Sequence, residues 1–188
     1  MDKDTVIRVE ALQLKRRGFG PVDLAFYPGE LVLLCGTSGS GKSTLCELLS
    51  ETQEPSDGRI VKDSTRVGYV AHAFENQLVG ATVAQELEIG LRGACRSLSR
   101  ELEESLVNLE APLQGSLQKD PHVISAALQQ CLLVASLIRS GANFLILNES
   151  MAYLDGRTRK EFAATLLKLV RSGCTVLLVS HQEEFLDL

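Results

Sequence analysis

A glycine-rich segment at residues 36–44, GTSGSGKST, constrains the fold of this chain more than any other feature of its sequence. It matches the pattern G-x-x-x-x-G-K-[ST] at Gly36, Gly41, Lys42 and Ser43. In this pattern the glycines let backbone N–H groups curve around phosphate oxygens, and the next helix N-terminus adds partial positive charge. The run before the segment, LVLLC, predicts a strand, and STLCELLS predicts a helix. We therefore predict a strand, a phosphate-binding loop and a helix, in that order.

Hydrophobic patterning and turn residues predict alternating strands and helices in the rest of the chain. Before the loop, TVIRVEALQL and PVDLAFYPGELVLLC predict three strands, with a turn at Pro28 and Gly29 and a fully buried last strand. After the loop, a turn at PSDG precedes the predicted strands RIVK and RVGYVA, and NFLIL and CTVLLVS follow later. A helix is predicted at residues 158–171. The order indicates an α/β fold.

The middle of the chain is helical in character. From Thr82 to about Gln118, Glu, Leu and Arg recur at helical spacing, as in TVAQELEIGLRG and LSRELEESLVNL. Ser125 is placed to cap the N-terminus of a helix through AALQQCLLVASLIRS, and Gly141 to end it. We therefore predict a helical subdomain at about residues 82–140, inserted into one domain that comprises residues 1–188.

Composition narrows the possible partners and location. The chain has 188 residues, 45% hydrophobic and 23% charged, and 19 basic against 24 acidic side chains give a net charge of −5. Because this balance provides no broad basic surface, we expect no nucleic-acid partner. The charged start MDKDTVIRVE does not resemble a secretion signal, and no run approaches the roughly 20 apolar residues that span a bilayer. These features predict a cytoplasmic location.

Cysteine usage argues against a metal or redox centre. The five cysteines are odd in number, lack CxxC spacing and lie partly within apolar runs, so most are predicted to be small core residues. They are Cys35, Cys46, Cys95, Cys131 and Cys174.

Three polar residues downstream are candidates for chemistry at the loop. Glu149 ends a predicted buried strand, Asp155 follows six positions later, and His181 ends the next strand. In an α/β sheet, ligands bind beyond the carboxyl ends of the strands, so these side chains are expected to converge on the loop. Taken singly each is weak evidence, because a lone histidine at a strand end is more often a polar cap.

The order of these features resembles the ATP-binding subunit of ABC transporters over essentially the whole chain, especially the energy-coupling factor and cobalt/nickel uptake branch. VGYVAHAFENQLVGATVAQELEIGL resembles the Q-loop region of that family, and ILNESMAYLD resembles its Walker B and D-loop run. His181 falls at the position of the switch histidine. The Q-loop residues that agree with the family are Asn76, Gln77, Leu78, Thr82 and Val83.

The resemblance implies an α/β P-loop NTPase fold of the ABC ATPase type, with a mixed sheet, a small antiparallel part and an inserted helical subdomain. It implies ATP and Mg²⁺ as ligands. Lys42, Glu149 and His181 would be catalytic, and Ser43, Asn148 and His72 would lie at the metal. The residues implied to bind the nucleotide are Gly36, Thr37, Ser38, Gly39, Ser40, Gly41, Lys42, Ser43, Thr44, Ser125 and Asp155.

Several residues depart from the family pattern. Asn148 replaces an aspartate that supports Mg²⁺, and its neutral amide should weaken metal affinity while keeping the shape. His72 stands where the Q-loop glutamine belongs, and Arg16 or Arg17 lies near the position of an aromatic that stacks on adenine.

The signature motif Leu-Ser-Gly-Gly-Gln is also altered. ISAALQQC stands in its place, where Ala126 and Ala127 add methyl groups and Leu128 removes a hydrogen-bonding side chain. In the family this motif closes over the γ-phosphate held by the opposite subunit, so a homodimer would carry the change twice. The chain also ends seven residues after His181, which is short for the family. Either the domain is naturally short or a part is missing.

Three hypotheses follow. In the first, the chain is the ATP-hydrolysing subunit of an uptake transporter, paired with an identical or different ATPase subunit and a membrane subunit at the inner face of the membrane. The docking surface for that membrane subunit would lie between the helical region and the His72 loop. In the second, the chain is a nearly inactive, nucleotide-binding regulatory subunit. The third, a soluble phosphotransferase, lacks a recognisable acceptor site.

Overall fold

The computed structural model describes residues 5–92, 100–151 and 154–180. Within these ranges the strands are β1 (Ile7–Leu14), β2 (Phe19–Phe26), β3 (Leu31–Cys35), β4 (Asp57–Lys62), β5 (Val67–Val70), β6 (Phe144–Asn148) and β7 (Thr175–Ser180). The α-helices are α1 (Lys42–Leu49), α2 (Val83–Arg92), α3 (Arg100–Glu110), α4 (Ala126–Arg139) and α5 (Gly156–Arg171). Short 3₁₀ turns lie at Lys15–Arg17, Phe74–Gln77, Ala111–Ser116 and Pro121–Val123.

The strands form two sheets, and the chain is α/β as predicted. β2, β1 and β4 form an antiparallel sheet in that order, and β3, β7, β6 and β5 form a parallel sheet. The predicted parallel and antiparallel parts are therefore both present, as separate sheets. Because all four strands of the second sheet run the same way, their carboxyl ends lie at one edge, where the glycine-rich loop begins after Cys35.

Hydrophobic cores cover both faces of the parallel sheet. On one face, Leu145 and Leu147 of β6 pack in a core with residues of α2, α3, α4 and α5. On the other, Phe144 and Ile146 pack with α1 and the antiparallel sheet, and the Phe144 ring meets Phe26 of β2 edge-on at 5.1 Å between centroids. Successive side chains of a strand point to opposite faces, so this continuous apolar strand is buried on both sides.

The helix caps follow the sequence. Ser125 is the N-cap of α4, where its hydroxyl accepts a hydrogen bond from the backbone N–H of Leu128 at 3.4 Å. After the helix, Gly141 has φ +92° and donates its N–H to the carbonyl of Ile138, as expected of a glycine that ends a helix. Both predictions for this helix are confirmed.

The prediction that β3 is fully buried was wrong. Leu31 and Cys35 are exposed, and the three residues between them are only half-buried. The physical reason is the strand order, because β3 is the outer strand of the parallel sheet and pairs only with β7 in the described structure. An apolar run alone does not distinguish a central strand from such an edge strand.

The cysteines are distributed between core and surface. Cys46 and Cys174 are buried, and burial raises the pKa of each thiol to about 12. Cys131 is half-buried with a pKa raised by burial to about 11, and Cys35 is exposed. Cys95 lies outside the described residues. Among the described residues, no group of three or more His, Cys, Asp or Glu side chains lies close enough together to hold a metal ion.

None of the helices in the described part of the chain has both the length and the apolar character needed to cross a bilayer.

Candidate functional site

The glycine-rich loop has the backbone geometry of a phosphate cradle. Gly39 and Gly41 adopt φ angles of +80° and +94°, a region that side chains disfavour. A Cβ on Gly41 would also lie only 2.7 Å from a ring carbon of Phe19. Gly41 directly precedes α1, and the absence of a side chain at this position leaves the N–H groups at the helix N-terminus exposed to a ligand.

Lys42 is held inside this loop. Its side-chain amine donates hydrogen bonds to the carbonyl oxygens of Gly36 at 2.6 Å and Thr37 at 2.9 Å, and it lies 3.5 Å from the Ser40 hydroxyl. The residue is only 7% exposed, and a charge so buried needs such partners. The loop therefore fixes a positive charge at its centre.

An open pocket of about 390 Å³ brings the loop together with residues that are distant in sequence. One wall is the loop and the start of α1, one comes from the turn before β2, and one contains His72 and Glu149. The lining residues are Arg17, Gly18, Phe19, Ser38, Gly39, Ser40, Gly41, Lys42, Ser43, Thr44, His72 and Glu149. Most predicted loop residues, together with Glu149 and His72, thus share one cavity.

The sheet places Glu149 at this pocket. In the parallel register, Asn148 pairs with Val179, and Val179 pairs with Leu34 near the end of β3. Glu149 therefore follows β6 at the same edge as the loop that follows β3. Its backbone N–H donates to the carbonyl of Val179 at 3.0 Å, which ties the turn to β7.

Glu149 has an unusual backbone and a close partner. Its φ of +58° lies in the left-handed region, which costs a non-glycine residue of the order of 1–3 kcal/mol and is often found at functional sites. One carboxylate oxygen lies 3.2 Å from Nδ1 of His72. The Glu149 side chain is 19% exposed and that of His72 56%, so the pair lies at the wall of the pocket.

Asn148 is buried, with 3% exposure, and its amide is only half satisfied. The Nδ2 group donates a hydrogen bond to the Tyr69 hydroxyl at 3.3 Å. The Oδ1 atom accepts no hydrogen bond within the structure as described. A buried acceptor without a partner is costly, and such an atom calls for an explanation.

Two further predicted residues, Ser125 and Asp155, lie outside the lining of the pocket. Ser125 caps α4 and Asp155 caps α5. The Asp155 carboxylate accepts hydrogen bonds from the N–H groups of Arg157 and Thr158, both at 3.0 Å, and from the Thr158 hydroxyl at 2.7 Å. These bonds, chiefly those from Thr158, lower the pKa of Asp155. His181 lies outside the described residues. The predicted roles of all three stay predictions.

Sequence reasoning missed two aromatic residues. Phe19 lines the pocket against Gly41. Arg17 also lines it while pairing with Glu47 at 2.6 Å, and Arg16 hydrogen-bonds Gln53. Tyr69 contacts Asn148 through its hydroxyl. Each aromatic stands in a strand, where a ring ordinarily indicates core packing. The signal that could have indicated Phe19 is its position as the first residue of β2, next to the turn that follows β1.

The agreement at the Q-loop positions has a structural basis. Gln77 accepts a hydrogen bond from the Ala71 N–H and donates one to the Tyr69 carbonyl, both at 2.8 Å. The Thr82 hydroxyl accepts from the N–H of Gln85 at 3.2 Å near the start of α2. The two Gln77 bonds hold the segment that carries His72 against the end of β5.

Comparison with known proteins assigns the family. The sequence profile described as "ABC transporter" matches residues 19–152, which include the glycine-rich loop, His72 and Glu149. The chain belongs to the ABC transporter family. The predicted resemblance is thereby confirmed. Membership argues against the third hypothesis, a soluble phosphotransferase.

Curated relatives include energy-coupling factor transporter ATP-binding proteins EcfA1. That of Mycoplasma genitalium is 28% identical over 178 residues, which are 87% of this chain and 64% of the relative. That of Thermotoga maritima is 30% identical over 177 residues, which are 88% and 68%. That of Oceanobacillus iheyensis is 31% identical, covering 82% and 61%. The chain therefore spans about two thirds of the length of these relatives. None of them supports the hypothesis of an inactive regulatory subunit.

Solved structures share the fold. CbiO1 from Clostridium perfringens, described as part of the ABC transporter complex CbiONQ, superposes with a TM-score of 0.76 at 22% identity and covers 96% of this chain and 80% of its own. A dimeric bacterial ABC transporter cassette superposes with a TM-score of 0.75 at 21% identity, covering 95% and 89%. These likenesses confirm the predicted ABC ATPase fold.

Proposed function

We propose that the chain is the ATP-binding and ATP-hydrolysing subunit of an ABC-type uptake transporter. One observation carries the proposal: a single pocket joins the glycine-rich loop and Lys42 to Glu149, a carboxylate held in a strained turn. The similarity to energy-coupling factor ATP-binding proteins supports the same function.

The loop residues suit nucleotide phosphates. Gly39 and Gly41 have positive φ angles and carry no Cβ atom that could block access to the backbone N–H groups. The N-terminus of α1 adds the positive end of the helix dipole. The Lys42 ammonium adds a full positive charge at the same place. Phe19 supplies an apolar ring on the pocket wall, where a nucleotide base can stack. The pocket therefore combines the two kinds of contact that a nucleotide needs.

Oxygen donors near the loop suit Mg²⁺. The Ser43 hydroxyl lines the pocket, and the orphaned Oδ1 of Asn148 is a buried acceptor that a cation or its water ligand would satisfy. Ser43 and Asn148 would hold the ion, which when bound neutralises charge on phosphate oxygens. His72, also expected near the metal, lies close enough to Glu149 to hydrogen-bond its carboxylate.

Three groups have distinct proposed roles in hydrolysis. Lys42 and the loop N–H groups stabilise negative charge that develops on the transferred phosphoryl group. Glu149 orients the attacking water and accepts its proton, which its position at the pocket wall allows. His181 would contact the γ-phosphate, a role carried over from the family alone.

The proposed function implies partner subunits and a location at the membrane. The chain would pair with a second ABC ATPase subunit, contribute Ser125 and Asp155 near the partner's nucleotide, and couple to a membrane subunit at the inner face of the membrane. It would act as one domain, residues 1–188, with a helical subdomain at about 82–140. No nucleic acid would take part.

ATP binding and hydrolysis by the purified chain test the proposal. Calorimetry measures ATP binding, and phosphate release with Mg²⁺ is followed across a series of protein concentrations. Lys42→Ala is expected to lose binding because the charge at the centre of the loop is removed. Glu149→Gln is expected to bind ATP but to lose turnover by about 100-fold or more, as when a general base is removed.

The matched control is Glu161→Gln on α5, which removes an exposed carboxylate that pairs with Arg157 at the surface. It should leave binding and turnover unchanged. Turnover that rises more steeply than protein concentration indicates a working homodimer. Unchanged hydrolysis in both Lys42→Ala and Glu149→Gln would sink the proposal.

A further inference from the structure

A carboxylate that acts on a water molecule must be held in one orientation. The side chain of a glutamate ends in a torsion with broad preferences, so its two oxygens turn over a wide range unless a neighbour holds one of them. A general base works only when its oxygen lies within hydrogen-bond reach of the proton that it accepts. Glu149, which has this task in the proposed function, is therefore expected to have a partner that fixes its carboxylate.

His72 is in the right place to be that partner. Its Nδ1 atom lies 3.2 Å from Oε2 of Glu149, within the range of an N–H···O hydrogen bond. A carboxylate only accepts hydrogen bonds, so the contact is favourable only when Nδ1 carries a proton. The direction of the bond is thereby fixed, because His72 donates and Glu149 accepts.

Both side chains belong to the pocket of the glycine-rich loop. The Glu149 side chain is mostly buried, whereas that of His72 is more than half exposed. A carboxylate that has lost much of its contact with water is stabilised by an N–H donor that replaces part of its hydration. The contact therefore stabilises the more buried partner at the wall where hydrolysis would take place.

The His72 side of the contact is anchored to a strand. His72 comes two residues after the end of β5, and Gln77 holds the segment between them. The Gln77 amide accepts a hydrogen bond from the Ala71 N–H and donates one to the Tyr69 carbonyl, both at 2.8 Å. The backbone next to His72 is thus fixed relative to β5.

The Glu149 side is anchored to the neighbouring strand. Glu149 directly follows β6, its N–H donates to the Val179 carbonyl at 3.0 Å, and its φ of +58° sets the direction in which the side chain leaves the backbone. β5 and β6 pair in parallel with Val70 opposite Leu147, so both strands end at the same edge. A pair of side chains held at the ends of two paired strands is pre-organised.

We propose that His72 is a positioning residue whose Nδ1–H holds one oxygen of the Glu149 carboxylate and so orients that carboxylate toward the attacking water. His72 then acts through Glu149, and not as the ligand of the metal that the family resemblance implied. This inference rests on the proposed function.

Two substitutions of the same shape isolate the Nδ1 donor. Asparagine and leucine have nearly the same outline, but Nδ2 of asparagine is an N–H donor as many bonds from the backbone as Nδ1 of histidine. His72→Leu is expected to lower kcat of ATP hydrolysis by about 3- to 10-fold, the range of one hydrogen bond, with KM unchanged. His72→Asn is expected to recover most of that loss. His122→Asn, which removes an exposed histidine outside the pocket lining, is the matched control.

Glu149→Gln provides the background that tests whether His72 acts through Glu149. The proton acceptor is already absent there, so His72→Leu is expected to cause no further loss of kcat. A further loss of similar size would mean that His72 acts directly on the nucleotide or the metal. Equal losses in His72→Asn and His72→Leu would mean that the ring or Nε2 matters and not Nδ1, and unchanged or faster turnover in His72→Leu would mean that the contact does not assist Glu149. Each of these results overturns the inference.

Nuclear magnetic resonance of the ¹⁵N-labelled chain tests the contact without hydrolysis. At alkaline pH, where imidazoles are neutral, the proton of His72 is expected on Nδ1 in the wild type. In Glu149→Ala it is expected on Nε2, as in most free histidine, and the signal missing from His72→Asn identifies His72. A proton on Nε2 in the wild type would overturn this inference and leave the proposed function standing. A wild type that hydrolyses no ATP at any protein concentration would overturn both together.

Discussion

At the scale of single residues, Phe19 shows how a side chain acquires a role from its neighbours. Its ring lies against Gly41 and lines the same pocket as Lys42, while Arg16 and Arg17 are engaged by Gln53 and Glu47. The arginines near the expected stacking position are therefore held by other partners. Phe19 is the aromatic that reaches the pocket.

We predict that Phe19→Ala weakens ATP binding by about 5-fold or more, because stacking of a base on an aromatic ring contributes about 1–3 kcal/mol. Inorganic triphosphate has no base, so its affinity should change little. Competition binding with both ligands measures the difference. Phe19→Tyr, which keeps the ring, is the control, and an equal loss for ATP and triphosphate would show that Phe19 shapes the loop instead.

The sequence predicted the residues whose chemistry is local and missed those whose role is tertiary. The loop could be predicted because its glycines, lysine and serine act within nine consecutive residues. The partnership of Tyr69 with Asn148 could not, because 79 positions separate them and a tyrosine in a strand has many reasons to be there. The contact of His72 with Glu149 was missed for the same reason.

At the scale of elements, close packing of α2 on α4 depends on a glycine. A Cβ on Gly90 would lie 2.4 Å from the carbonyl oxygen of Ser136, and the Ser136 hydroxyl donates to the carbonyl of Glu86 at 3.1 Å. The two helices meet along their backbones at this point.

Gly90→Ala is predicted to destabilise the chain by about 1–3 kcal/mol, since overpacking a tight contact forces the helices apart. The free energy of unfolding in urea measures this. Gly115→Ala is the matched control, because a Cβ there meets no atom within 4 Å. Equal stability of the two variants would contradict the predicted close contact.

The Asp155 cap of α5 should make the stability of the protein depend on pH. Asp155 is exposed and its pKa is lowered, chiefly by hydrogen bonds from Thr158. A carboxyl with a lowered folded-state pKa stabilises the protein above its unfolded pKa of about 3.9, and this stabilisation is lost as pH falls through the folded value. Asp155→Asn keeps a capping oxygen without the titration.

The variant should therefore lose less stability than the wild type between pH 5 and strongly acidic pH, with similar stability at neutral pH. Urea midpoints across this range measure the difference. Parallel pH profiles for the two proteins would show that the Asp155 cap does not contribute to acid sensitivity.

Element positions were largely predictable because periodicity and caps are local signals. Ser125 and Gly141 delimited α4, and the apolar run of β6 indicated its burial on both faces. The exposure of β3 was not predictable, since it depends on which strands lie beside it. Burial of a strand is a property of the sheet.

At the scale of the whole molecule, the altered signature segment bears on assembly. The helix α4 starts at Ala126 immediately after Ser125, and the first two helical residues carry methyl groups where the family pattern has glycines. In a homodimer, each of the two nucleotide sites would face a helix start whose backbone N–H groups are partly covered by these methyl groups. The wild-type chain should therefore hydrolyse ATP slowly when it pairs with itself.

We predict that the triple substitution Ala126→Gly, Ala127→Gly and Leu128→Gln raises hydrolysis by the chain alone, because glycines let backbone N–H groups approach the partner's γ-phosphate. Each glycine also costs about 1 kcal/mol of helix stability, so the melting temperature should fall as turnover rises. The same triple variant carrying Glu149→Gln is the control and should stay inactive. If turnover does not increase although the variant remains folded and dimeric, the signature segment is not what limits this chain, and slow hydrolysis would have to arise at Asn148 or at the pairing of His72 with Glu149.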